Sequence, residues 1–99
     1  MGTLEEICNM RNEWKEIPFP KGYAGKQVAG ICITTLDTFA AGCIDTFISR
    51  KGRLDKRRLS VLEECKTNLE IVVENIDGNA QTYFRKLLQI CERVLAVRG

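Results

Sequence analysis

Residues 55–97 read DKRRLSVLEECKTNLEIVVENIDGNAQTYFRKLLQICERVLAV, and the spacing of their apolar side chains decides the fold class. Leu59, Leu62, Cys65, Leu69, Val72 with Val73, and Ile76 recur in steps of three and four, the period that lines one seam of an α-helix. Asp55 stands ahead of the run, where a carboxylate caps the free amides of a first helical turn. Asp77-Gly78-Asn79 breaks the pattern, and Ala80, Tyr83, Phe84, Leu87, Leu88, Cys91, Val94 and Leu95 resume it over roughly half a helix circumference. So wide an apolar face is expected to touch two neighbouring helices. A connection of about three residues turns the chain back, so helices over 55–76 and 78–97 lie antiparallel.

Upstream, the segment 24–50 carries Val28, Cys32, Leu36, Phe39, Ala40, Cys43 and Phe47 in one arc at about 100° per residue, with Thr34, Thr38, Ala41, Asp45 and Ser49 opposite. It reads as the central helix. Gly30 and Gly42 weaken it by propensity and admit a close neighbour, and Gly52 supplies a left-handed stop. The first segment, 3–16, opens with a capping box of Thr3 and Glu6 and spaces Leu4, Ile7, Cys8, Arg11 and Trp14 helically. Ile17-Pro18-Phe19-Pro20-Lys21-Gly22 is a stiff connection, since each proline holds the residue before it extended. No β-type alternation or internal repeat occurs. The fold class is all-α: a compact four-helix bundle-like domain, helices 3–16, 24–50, 55–76 and 78–97, one domain over 1–99.

Composition removes several functions. Fifteen basic against 13 acidic residues leave +2, too little for the molecule as a whole to clamp a polyanion. Histidine is absent, and with it the side chain best suited to neutral acid–base catalysis and metal ligation. Cys8, Cys32, Cys43, Cys65 and Cys91 are odd in number and widely spaced, which fits neither a disulfide framework nor a zinc site. All five fall at apolar positions and read as reduced, buried, small hydrophobes. Met1–Glu6 lacks the basic and apolar regions of a signal sequence. Residues 28–48 are the most apolar stretch, but Asp37 and Asp45 interrupt them, so a buried helix is expected and no membrane span. The expected compartment is the reducing cytoplasm.

Few residues are candidates for chemistry. Asp37 and Asp45, eight apart on one helix, are separated by about 12 Å of rise, too far to cooperate as a carboxylate pair, and each is expected to pair with Arg or face water. Gly22-Tyr23-Ala24-Gly25-Lys26-Gln27 resembles a phosphate loop only in passing: it lacks the hydroxyl residue after Lys26 and a preceding strand, so its glycines read as turn formers. Trp14, Phe19, Tyr23 and Tyr83 are expected to pack as core rather than line a pocket. The sequence assigns no catalytic, metal or cofactor-binding residue.

Charge placement says more. Arg50, Lys51, Arg53, Lys56, Arg57 and Arg58 against Asp55 give 6 − 1 = +5 over nine positions, leaving 2 − 5 = −3 on the other ninety. Such a cluster suits a polyanion, although no aromatic residue interleaves it to stack a base. Along the third helix the basic residues sit at the positive end of the macrodipole, and Glu70 and Glu74 sit towards the negative end. Two copies packed antiparallel would compensate both ends, and a two-fold dimer generates that pairing from one surface. Arg85 and Lys86 of the fourth helix are the alternative source of compensation for Glu70 and Glu74. Ile31, Ile48 and Ile71 lie outside the apolar arcs and suit an oligomer surface. The functional expectation is a non-enzymatic interaction protein, a homodimer or the binder of a partner protein, with Ile71, Glu70 and Glu74 as self-association candidates. Nucleic-acid or other polyanion binding through the basic segment is second.

Overall fold

Four helices, α1 (Thr3–Lys15), α2 (Ile33–Ser49), α3 (Lys56–Glu74) and α4 (Gly78–Arg98), pack around one core, and a short hairpin of β1 (Gln27–Val28) and β2 (Ile31–Cys32) precedes α2. The structure, a computed structural model, describes residues 3–98 and the side chains of residues 3–97. Met1 and Gly2, the start of the stretch read above as lacking a signal sequence, lie outside the described residues. Among the described residues no helix is long and apolar enough to cross a membrane.

The α3–α4 pair forms as its spacing demands. Asp55 caps α3 by accepting the Arg58 amide at 2.8 Å. Gly78, with φ +65°, takes the left-handed turn between the two helices. Gln81 on the first turn of α4 donates to the carbonyls of Val73 (2.8 Å) and Ile76 (3.1 Å), satisfying acceptors that the end of α3 and the connection after it leave open. Phe84, Leu87, Cys91 and Val94 are fully buried, and α4 packs against α1, α2 and α3. Its face therefore meets three neighbours where two were expected, and α2 likewise contacts the other three helices.

Residues 24–32, expected as the first turns of the second helix, are not helical. Ala29 (φ +52°) and Gly30 (φ +80°) are both left-handed and make the two-residue turn whose twist matches a hairpin, pairing Val28 with Ile31 and Gln27 with Cys32. The Gly25 amide donates to the Thr34 hydroxyl at 2.8 Å and the Ile33 amide to the Lys26 carbonyl at 3.2 Å, which ties the hairpin to the start of α2. Gly30 thus serves a turn and not a close helix contact. With that end removed, the buried arc of α2 is rotated: Ile33 and Ile44 are fully buried, while Phe39, expected in the core, is 56% exposed. At the other end Lys51 (φ +56°) shares the left-handed stop with Gly52 (φ +94°). Their amides reach back to the carbonyls of Ile48 and Phe47 in the paired bonds of a Schellman closure.

Trp14, Phe19, Tyr83 and Phe84 pack as a solid aromatic cluster with centroid separations of 4.9–6.0 Å, as expected for core, whereas Tyr23 stands apart beneath Lys26. The Trp14 indole donates to the Tyr83 carbonyl at 3.2 Å, fastening α1 to α4. Ile31 and Ile48 are half-buried against the core, leaving Ile71, 38% exposed, as the one of the three off-arc isoleucines open to solvent.

The hairpin turn is testable. Gly30→Val places a β-branched residue at positive φ and is expected to lower the urea midpoint by the equivalent of about 1–2 kcal/mol, whereas Ala29→Asn, which supplies the preferred Asn-Gly pair, is expected to raise it.

Candidate functional site

The outer faces of α2 and α3 do not meet completely, and a cleft runs between them. Its larger half, with a volume of about 710 Å³, is lined from α2 by Thr38, Phe39, Gly42, Cys43 and Thr46 and from the α3 side by Asp55, Arg57, Arg58 and Val61. The smaller half, about 330 Å³, continues past Phe39 and Val61 to Thr35, Glu64 and Asn68. Small residues on α2 open this space. A Cβ placed on Gly42 would meet no atom within 4 Å beyond the surrounding backbone of its own helix, so no packing inside the monomer calls for the glycine, although it weakens α2 by roughly 1 kcal/mol. The Thr38 and Thr46 hydroxyls donate to the carbonyls of Thr34 (3.0 Å) and Gly42 (2.9 Å) in their own helix and are satisfied without solvent. Phe39 lies on the boundary of both halves, an exposed aromatic ring with polar groups around it.

The basic segment divides over this geometry. Arg57 and Arg58 line the cleft; Arg50, Lys51 and Arg53 are exposed on the α2–α3 loop, and Lys56 is exposed on the first turn of α3. Arg58 is neutralised by Asp55, its Nη1 donating at 2.7 Å. The Arg58 backbone amide, with its guanidinium behind it, holds the Asp55 carboxyl below the usual carboxylate range. Among the described residues Arg50, Lys51, Arg53, Lys56 and Arg57 have no ion-pair partner. Phe39 supplies beside Arg57 and Arg58 the aromatic ring that the local sequence lacks. No spacing within 50–58 reveals it, because it arrives from another helix.

The three self-association candidates sit on adjacent turns of α3, Glu74 being four residues from Glu70 and three from Ile71, and they differ in what they meet within the monomer. Glu70 accepts from Lys66 at 3.0 Å, one turn before it on the same helix, so its charge is compensated locally. Lys66 is correspondingly held charged by that hydrogen bond. Among the described residues no ion pair joins Arg85 or Lys86 to Glu70 or Glu74. Ile71 points about 100° around the helix from Glu70 and falls on the stripe Arg57, Val61, Glu64, Asn68 that borders the cleft. Glu74 is exposed and unpaired among the described residues.

The remaining candidates take structural places. Arg11 grips Asp45 with two donors at 2.7 and 3.1 Å, linking α1 to α2, and the hydrogen bond raises the Arg11 pKa further. Asp37 accepts the Tyr83 hydroxyl at 3.0 Å, a partner other than the arginine or water expected for it. Burial pushes the Asp37 carboxyl above its ordinary value, against the pull of that hydroxyl and of Arg11, and burial likewise raises the Tyr83 hydroxyl. Cys43, Cys65 and Cys91 are buried, with burial raising each thiol, that of Cys65 to about 11. Cys8 and Cys32 are only part-buried, which corrects the expectation that all five sit in the core. Cys32 precedes α2, where the Thr35 hydroxyl at 3.3 Å and the nearby amides lower its thiol pKa. Among the described residues no group of three or more Cys, Asp or Glu side chains is placed to hold a metal. In the segment once compared with a phosphate loop, Gly22 (φ +82°) and Gly25 (φ +75°) form turns, as expected.

The Asp37 shift has a definite sign. A carboxyl whose folded pKa is raised binds its proton more tightly in the native chain, so stability falls as pH rises from about 4 through the folded pKa. Asp37→Asn, which keeps an acceptor for Tyr83, is expected to gain stability relative to the parent at pH 7 over pH 3.5 in urea titrations; equal differences at both pH values would contradict it. No protein-family model matches the chain, and no curated protein or solved structure is significantly similar to it.

Proposed function

We propose that this chain is a small non-enzymatic interaction protein that acts by self-association through the α2–α3 face. The observation that carries the reading is Phe39, 56% exposed in the middle of a cleft between two otherwise core-packed helices. An exposed aromatic ring beside apolar Val61, rimmed by charged residues, is the composition of a protein-contact surface. The open space above Gly42 admits the close approach of a second surface, and the unpaired charges along α3, set against the helix dipole, are ones that an oppositely charged partner compensates. A reducing, cytoplasmic setting accompanies this reading, since the five thiols are free and three are buried. Sedimentation equilibrium of the reduced protein from about 1 µM to about 1 mM is expected to show the mass rising from 11.2 kDa towards twice that value at both low and high salt; a constant 11.2 kDa would remove the reading.

A second reading, favoured by the proximity of Phe39 to Arg57 and Arg58, is a polyanion-binding accessory protein using Arg50, Lys51, Arg53, Lys56, Arg57 and Arg58. Guanidinium groups beside an exposed ring suit single-stranded nucleic acid, whose phosphates and bases need the two together. It predicts that affinity for a single-stranded oligonucleotide falls with salt at a logarithmic slope of about −0.7 per phosphate contact, and that Arg57→Gln reduces both slope and affinity. Undetectable or salt-independent binding would exclude it.

A further inference from the structure

We propose that the cleft is closed by the same cleft of a second copy, the two α3 helices lying antiparallel about a two-fold axis at Val61 and Phe39, with Arg57 of each copy against Glu64 of the other. The proposal rests on the self-association reading and names its surface and register.

Arg57, Val61, Glu64, Asn68 and Ile71 follow one another on α3 at steps of four, three, four and three, which puts them on one stripe of the helix. Arg57 lies about 6 Å before Val61 along the axis and Glu64 about 4.5 Å after it. A two-fold axis at Val61 reverses that order in the partner, bringing the opposite charges level. Both side chains are exposed and, among the described residues, neither is in an ion pair. Within one chain they stand about 10.5 Å apart along the axis, beyond direct pairing, so a second copy is what joins them.

The apolar groups obey the same symmetry. Phe39 and Val61 belong to both halves of the cleft, so an axis through them gathers two rings and two valines at the centre, where exclusion of water is worth most. The Thr38 and Thr46 hydroxyls, already bonded inside α2, lose no partner when the cleft is covered. A standard interface takes roughly 800 Å² from each partner, about one eighth of the 6091 Å² that this chain exposes. A uniformly acidic peptide or a nucleic acid would satisfy Arg57 but would meet Glu64 with like charge. A surface bearing both signs in mirrored order is complementary to itself.

The test is a charge exchange read by sedimentation equilibrium on the reduced 99-residue chain, with far-UV circular dichroism and a urea midpoint confirming that each variant folds. Arg57→Glu and Glu64→Arg alone are each expected to weaken association about tenfold or more, and the double variant to restore it to within about threefold of the parent. Phe39→Ser, at an exposed position, is expected to weaken association at least as much as either charge reversal. A parent that dimerises while the double variant stays as weak as the singles overturns this register and leaves self-association standing. A parent that remains monomeric throughout overturns both.

Discussion

Burial of the wide apolar face of α4 is the constraint on which the remainder of the structure depends. Phe84, Leu87, Cys91 and Val94 are fully buried, and no single neighbouring helix is broad enough to cover an arc of that width. Three helices therefore close over it. α3 returns antiparallel through the tight turn at Gly78, α2 packs across both, and α1 is fastened at its end by Trp14 against Tyr83. The polar links fall where this arrangement leaves seams: Arg11 with Asp45 between α1 and α2, and Tyr83 with Asp37 between α4 and α2. None of these links organises the core. They orient helices whose association is driven by apolar area.

The cleft is a consequence of the same arrangement. α2 and α3 direct their large side chains inwards to α4, and what remains along their outer boundary is small on one side and charged on the other. Thr35, Thr38, Gly42 and Thr46 cannot fill the space, and Phe39, rotated out of the core when the helix begins at Ile33, is left above it. The loop joining the two helices then adds cations that Asp55 offsets only at Arg58. A single packing solution thus creates the exposed ring, the open volume and the unpaired charge in one place.

The sequence made much of this legible, but unevenly. The α3–α4 hairpin, the Asp55 cap, the break at Gly78 and the path of α1 through Trp14 are local signals, carried by residues within a turn or two of one another. The hairpin at residues 27–32 was hidden because Val28 and Cys32 continue the helical spacing of α2, and strands of two residues are too short to show alternation. Gly30 reads equally as a weak helical position or a turn, and only its φ of +80° decides. Phe39 stood at the edge of an apolar arc whose centre shifted when those residues were removed. The role of Lys66 in compensating Glu70 was within reach of a four-residue spacing rule, whereas the meeting of Phe39 with Arg57 depends on tertiary packing between two helices.

The decisive contact is the face of one copy that touches another. An isotope-filtered NOE experiment on a mixture of labelled and unlabelled protein, at about millimolar concentration where association is expected, reads that contact without any mutation. Two-fold packing at Val61 and Phe39 predicts intermolecular NOEs between the Phe39 ring and the Val61 methyls. Their absence, or intermolecular NOEs confined to another face such as the cleft of Leu4, Cys8 and Ile48, would contradict it.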